Sequence, residues 1–116
     1  MMRLYLAGLV AVFAGTTIPA LAGEKPVQFW NLTEETISEL YLAPVGTTHW
    51  SPNQCLNDKD GTVETDEMVT VKNIPPGQYD LKIKDVSGRT CVVKAVNIKA
   101  HAEFSVGEKE LRNCTK

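Results

Sequence analysis

Tyr79-Asp80-Leu81-Lys82-Ile83-Lys84 alternates apolar and charged side chains at every step. A period of two puts Tyr79, Leu81 and Ile83 on one face of an extended chain and Asp80, Lys82 and Lys84 on the other, the signature of a half-buried β-strand. Thr90-Cys91-Val92-Val93-Lys94-Ala95 follows across Val86-Ser87-Gly88-Arg89 and reads as the second arm of a hairpin. Parity selects the loop. Three residues, Ser87 to Arg89, set Ile83 opposite Val93, with Cys91 and Ala95 on the same inward side and Lys94 in water. A two-residue Ser87-Gly88 loop would turn Lys94 into the core. The three-residue form requires a left-handed residue at Gly88 or Arg89. Alternation slips where Ala95 and Val96 adjoin, and a bulge or a change of partner fits there.

The same rhythm extends outward. Val69 and Val71 alternate with Thr70 and Lys72 before Pro75-Pro76-Gly77, which carries the residues of a type II turn. Val96 and Ile98 prolong the hairpin arm, Lys99-Ala100-His101 turns it, and Ala102, Phe104 and Val106 alternate with Glu103 and Ser105. Val27 to Trp30 and Ile37 to Ala43 supply two strands upstream, and Glu108 to Asn113 has room for one helical turn. Six or seven short strands without an amphipathic helix predict a small antiparallel β-sandwich of immunoglobulin-like architecture. The core is expected from Phe29, Leu40, Leu42, Val69, Val71, Tyr79, Leu81, Ile83, Val93, Val96, Phe104 and Val106, with Trp30 beside Phe29. Only Pro44 to Glu67 breaks the rhythm, and an irregular segment of that length is where a site is to be sought.

Residues 1–22 read as an export signal. Met1-Met2-Arg3 is a short positive start, Leu4 to Ala14 is uncharged and mostly aliphatic, and Ala20-Leu21-Ala22 ends in small residues of the kind a signal peptidase cuts after. Thr16, Thr17 and Pro19 interrupt the stretch short of the roughly 20 apolar residues a membrane span needs. A mature chain of residues 23–116 is therefore expected in the periplasm or secreted, as one domain able to bury only about 60–65% of its unfolded surface. Residues 1–22 hold one charged residue, Arg3, so the remainder carries eleven Lys plus Arg against fourteen Asp plus Glu, a net charge near −3. That evenly mixed anionic surface argues against nucleic acid or anionic lipid as a partner. No second apolar span follows, so no membrane attachment is expected after cleavage.

Export also exposes Cys55, Cys91 and Cys114 to oxidation. An odd count predicts one disulfide and one remaining thiol. Cys91–Cys114 is the expected pair: Cys91 faces inward in a central hairpin, and the bond would tie down a C-terminal tail with little else to hold it. Cys55–Cys91, pinning the long segment to the sheet, is the rival.

Two constellations carry chemistry. Asn57-Asp58-Lys59-Asp60-Gly61-Thr62-Val63-Glu64-Thr65-Asp66-Glu67 holds six acidic or amide side chains in eleven residues, the oxygen donors a hard cation takes. With Gly61 at the sixth position of an EF-hand loop, Asp58, Asp60, Glu64 and Glu67 fall on the third, fifth, ninth and twelfth. Leu56 then occupies the first, where a ligand oxygen is required. A solvated acidic turn is the preferred reading, and a calcium module using Asp58, Asp60, Glu64 and Glu67 the alternative; no other cofactor is expected. His49, His101, Met68, Cys55 and Cys91 show no ligand spacing for a soft metal. Trp50, the one large aromatic of the long segment, is the candidate partner contact, although a ring folded back to protect a sheet edge is the simpler expectation. No hydrolase, nucleotide-binding or metalloprotease motif occurs, so no enzyme is expected, a hydrolase built on Cys55 being the weakest of the alternatives. Asn31-Leu32-Thr33 and Asn113-Cys114-Thr115 fit the glycosylation pattern, which is frequent by chance.

Phe29-Trp30-Asn31-Leu32-Thr33, then Ile37-Ser38-Glu39-Leu40-Tyr41-Leu42-Ala43-Pro44, Trp50 and Tyr79-Asp80-Leu81-Lys82 stand in a familiar order. Over most of residues 27–106 the chain resembles a group of small exported proteins of rhizobia and related alphaproteobacteria, a group without an assigned activity. The resemblance implies a periplasmic β-sandwich and no chemistry. Many of those proteins carry a cysteine just before the Tyr/Trp-Asp-Leu strand, where this chain has Gly77 and Gln78, so their cysteine pairing does not transfer. The function expected is binding or structural interaction with an unknown partner, such as another exported protein.

Overall fold

The period-two segments become strands. A computed structural model describes residues 24–116; the export signal expected over residues 1–22 lies outside them. In chain order the strands are β1 (Val27–Leu32), β2 (Ile37–Pro44), β3 (Met68–Val71), β4 (Gly77–Asp85), β5 (Thr90–Ile98), β6 (Glu103–Gly107) and β7 (Arg112–Thr115), with short 3₁₀ turns at Gln54–Asn57 and Glu108–Glu110. They form two sheets, β3-β1-β6 and β2-β4-β5-β7. The result is a small all-β sandwich. One pair departs from the antiparallel expectation: β1 and β6 run parallel, Phe29 beside Phe104 and Asn31 beside Val106. β7 is a strand that composition did not announce, since it contains no apolar alternation.

From Leu81 to Cys91 the hairpin holds its expected faces with a different loop, whereas Ala95, expected inward, is exposed at the bulge. Ile83 lies opposite Cys91 and Leu81 opposite Val93, so the three loop residues are Val86, Ser87 and Gly88. Gly88 takes the left-handed conformation at φ +91°, and its N–H donates to the Asp85 carbonyl at 3.0 Å. Moving the loop one residue earlier keeps parity, so Cys91 and Val93 still point inward. Beyond Leu81 the register shifts to Tyr79 opposite Val96, so Lys94 and Ala95 together oppose Asp80. This is the bulge expected at the Ala95-Val96 slip, with Ala95 at φ +55°.

The expected type II turn at Pro75-Pro76-Gly77 does not form. β3 and β4 belong to different sheets, so residues 72–76 must cross the sandwich rather than reverse direction. Gly77, at φ +154°, opens β4, and Asn73 supplies the left-handed residue instead.

Phe29, Ile37, Leu40, Leu42, Leu81, Val63 and Val106 fill the interior with at most 1% of their surface exposed. Of the expected core, Val96 and Phe104 are only half-buried, Val96 beyond the bulge and Phe104 on an edge strand. Trp30 is a correction: adjacent strand residues face opposite ways, so with Phe29 inward Trp30 lies on the outer face, half-buried, its Nε1–H donating to Asp66 at 3.0 Å.

Candidate functional site

The long segment after β2 is a cover, built from side chains that stand in for a strand. The Ser51 N–H donates to the Leu42 carbonyl (2.8 Å) and the Ser51 hydroxyl accepts from the Leu42 N–H (3.1 Å). Asn53 Oδ1 accepts from the N–H groups of Leu40 and Cys55 (both 3.0 Å), and its Nδ2 donates to the Ser38 carbonyl (3.2 Å). Val63 closes the run by exchanging two backbone bonds with Ile37, at 2.8 and 2.9 Å. The same turn reaches the other sheet. Gln54 pairs its amide with the N–H and carbonyl of Lys72 (2.9 and 3.3 Å), and Asn57 Nδ2 donates to the Thr70 carbonyl (2.8 Å). Residues 51–57 thus clasp the outer edges of β2 and β3, where unpaired backbone groups would otherwise invite other strands.

The acidic residues serve this segment locally. Asp58 Oδ2 accepts from the Asp60 N–H (3.0 Å), tightening a turn that Gly61 completes at φ +75°. Glu67 Oε1 accepts from the Glu64 N–H (2.8 Å). Asp58, Asp60, Glu64 and Glu67 are not gathered into one coordination site: among the described residues no three His, Cys, Asp or Glu side chains converge where a metal ion could sit. The spacing that suggested an EF-hand register belongs to two separate turns, and bidentate coordination would need Glu67 to abandon its bond to Glu64.

Trp50 is placed by that cover. With Ser51 bonded along β2, the indole folds back over the sandwich and lies on the outer face of the β2-β4 pair. The Lys82 ammonium sits 4.7 Å from the Trp50 ring centre and 5.3 Å from that of Tyr41. The Tyr41 hydroxyl donates to Glu39 Oε1 at 2.8 Å, and this bond, with some desolvation, raises its pKa above the ordinary phenol value. Lys84 pairs with Glu39 (3.9 Å) and Lys94 with Asp80 (3.6 Å). Lys82 takes part in none of the ion pairs among the described residues. Two half-exposed rings flanking one uncompensated ammonium form a flat, amphipathic surface suited to contact rather than to chemistry.

The cysteines divide as the preferred pairing had it. Cys91 and Cys114 form the disulfide, joining β5 to β7. Cys55 is the remaining thiol, fully buried, its Sγ 3.7 Å from the Ile37 carbonyl, and burial pushes its pKa up to about 12. A thiol so held is not the low-pKa, accessible nucleophile that cysteine catalysis needs. His101 sits at one end of the sandwich, its Nδ1–H donating to the Lys25 carbonyl at 2.8 Å and its Nε2 3.5 Å from the Glu24 carboxylate. There it borders an open groove of about 820 Å³ with Val71, Ile74, Pro75 and Pro76. His49 is exposed and borders a neighbouring groove that shares Ile74 and Pro75 with the first.

Three polar groups matter more than the sequence suggested. Asn31, fully buried, accepts on Oδ1 from the Thr33 N–H and hydroxyl (2.9 and 2.7 Å) and donates from Nδ2 to the carbonyls of Glu35 and Val63 (both 2.9 Å). Its amide is fully committed, so the Asn31-Leu32-Thr33 match is a turn motif and not a glycosylation acceptor. Asp80, expected outward, is 5% exposed inside the bulge. The Ala95 N–H (3.1 Å) holds its pKa down against desolvation, aided by the Gly46 N–H and Lys94. Arg89 joins Asp85 (2.9 Å) to Glu108 (2.7 Å), and Glu108 also accepts from the Glu34 N–H (3.0 Å). The visible signals were Asn-x-Thr after a strand and a carboxylate facing an apolar slip, but each acquires its partners only in the fold.

Among the described residues no helix is long and apolar enough to cross a membrane. Comparison with family models, with curated proteins and with solved structures found no match.

Proposed function

We propose that the chain works in the periplasm or outside the cell, as the small alphaproteobacterial proteins it resembles are expected to, and that it acts by holding another exported protein rather than by catalysis. The observation that carries this reading is the Trp50–Lys82–Tyr41 stack. Trp and Tyr dominate interface energetics because they bury large areas at small entropic cost, and an ammonium held against two rings without an ion-pair partner among the described residues is poised for an acidic partner surface. The disulfide supports the compartment, since such bonds persist where thiols are oxidised. The buried, high-pKa Cys55 speaks against the hydrolase alternative.

The test places a photo-crosslinking residue at Thr90, beside Tyr41 and Lys82 on the same face, in otherwise native, Trp50→Ala and Lys82→Glu backgrounds. A crosslinked species formed by the first and lost in both Trp50→Ala and Lys82→Glu supports the reading. The same species in all three overturns it. Intact mass of the exported protein is expected to begin at Gly23; a species retaining residues 1–22 in the membrane overturns the exported location.

A further inference from the structure

The sandwich has two outer faces, one on each sheet, and their unpaired charges differ in sign. Tyr41 alternates with the inward Leu40 and Leu42, Lys82 with Leu81 and Ile83, and Val92 with Cys91 and Val93. Register sets Tyr41, Lys82, Val92 and Arg112 in one row across the outer side of β2-β4-β5-β7, with the Trp50 ring against Lys82. The carboxylates on this side are spent, Glu39 on Lys84 and Asp80 on Lys94. Lys82 and Arg112 have no carboxylate partner among the described residues, and Arg112 Nη1 donates to the Lys109 and Leu111 carbonyls. Two unpaired cations thus stand two strands apart, about 10 Å at the usual strand spacing, on a chain whose net charge is −2.

The outer side of β3-β1-β6 is the reverse. Trp30 lies across from Met68 on one side and Ser105 on the other. Leu32, next on the same face, is 40% exposed beside Gly107, which has no side chain to cover it. Around this apolar patch stand Asp66, which accepts the Trp30 indole N–H, and Glu103, beside Gln28. Both carboxylates are exposed and in no ion pair among the described residues. They too are two strands apart, Glu103 on β6 and Asp66 in line with β3, where its N–H donates to the Asn31 carbonyl at 2.6 Å. Lys72, just past the end of β3, is the one lysine that continues the phase of this face.

We propose that the chain associates with itself head to tail, the cationic outer face of β2-β4-β5-β7 in one copy docking on the acidic, Trp30-centred outer face of β3-β1-β6 in the next. The inference rests on the Trp50–Lys82–Tyr41 face being a contact surface, and it names a second copy as what that face holds. Like faces repel: pairing them sets Lys82 and Arg112, or Asp66 and Glu103, against their own counterparts. Unlike faces bring opposite charges together around aromatic centres, Trp50 and Tyr41 meeting Trp30, Leu32 and Met68, an apolar middle with a charged rim. Each added copy leaves one face of each kind free, so the contact repeats into a ring or filament.

Sedimentation of the purified, oxidised chain is expected to show mass rising with concentration at low salt and falling back at about 0.5 M salt, where exposed charges are screened. Trp50→Ala damages one face and Glu103→Lys the other, and each is expected to weaken association by about tenfold or more. Mixed, the two variants are expected to form a one-to-one dimer and nothing larger, because each still offers the face the other lacks. That dimer also shows both variants to be folded; if Trp50→Ala does not fold, Lys82→Ala takes its place. Association of Glu103→Lys equal to that of the parent overturns the acidic face as the docking surface. A mixture of folded variants that stays monomeric overturns the head-to-tail arrangement. A parent chain that is monomeric at roughly millimolar concentration overturns the second copy as occupant, and the crosslink from Thr90 then reads separately whether the Trp50 face holds a different protein.

Discussion

On one side of the sandwich, β2 and β3 end against residues whose side chains complete their ladders; on the other, β6 and β7 are the outer strands, with no such side-chain ladder among the described residues, and one disulfide fastens β7. The first side spends Ser51, Asn53, Gln54 and Asn57 on backbone groups. The second has few such bonds. Arg89 spans Asp85 and Glu108, Glu110 caps Gly107, and Cys114 is bonded to Cys91. A sheet edge can thus be closed by polar mimicry or merely anchored. The difference predicts where the molecule resists opening and where it gives way.

The core common to both sides sets the scale. Leu81→Ala, at a fully buried position in the central strand β4, should cost about 2–5 kcal/mol in urea unfolding. A variant that unfolds like the parent would mean that β4 presents its other face inward. Replacing Cys91 and Cys114 together with Ala should cost about 3 kcal/mol for a bond that closes a separation of 23 residues. Hydrogen exchange should then speed first in β7 and along the adjoining edge of β5, with β2 and β3 unchanged. Uniform acceleration would erase the contrast between the sides.

Asn53→Ala tests the closed side, where it strands the N–H groups of Leu40 and Cys55; the expected loss is about 1–3 kcal/mol. Exchange at Leu40 should rise without change at Ser105. If stability is unaffected, the clasp is held by its backbone bonds alone.

Acid should loosen the anchored side further, by an amount smaller than these. Burial pushes the Asp85 carboxyl up, but bonds from Ser87 and Arg89 outweigh it and leave its pKa below the ordinary range. Arg89 and the Glu34 N–H hold Glu108 down likewise. Both folded-state values lie below those of the unfolded chain, about 4, so their stabilisation is whole at neutral pH and is lost as pH falls through the folded values. Thermal melts should therefore drop below about pH 4. Glu108→Gln should lower the neutral-pH melting temperature and flatten that drop. An unchanged acid limb would remove Glu108 from the account.

The alternation from Tyr79 to Lys84, and its echoes at Val69–Val71, Leu40–Leu42 and Phe104–Val106, was legible because period-two burial is a local property: once one residue faces the core, its neighbours' faces follow. Hairpin parity and the bulge at Ala95 were legible for the same reason, since either error would have buried Lys94 or exposed Val96. The Cys91–Cys114 bond could be preferred through the inward face of Cys91, but its rival could be rejected only in three dimensions, where Cys55 lies under β2.

The sequence by itself determined six of the seven strands, most of their inward faces and a small all-β fold, because these depend on spacing along the chain. The tertiary structure alone decided which strands are neighbours, that β1 and β6 run parallel, and that Trp30 faces outward. It also decided that the acidic run divides into two turns and that residues 51–57 close one side and not the other. Each of these depends on which distant backbone groups are left unpaired when the sheets close, and no local pattern encodes that.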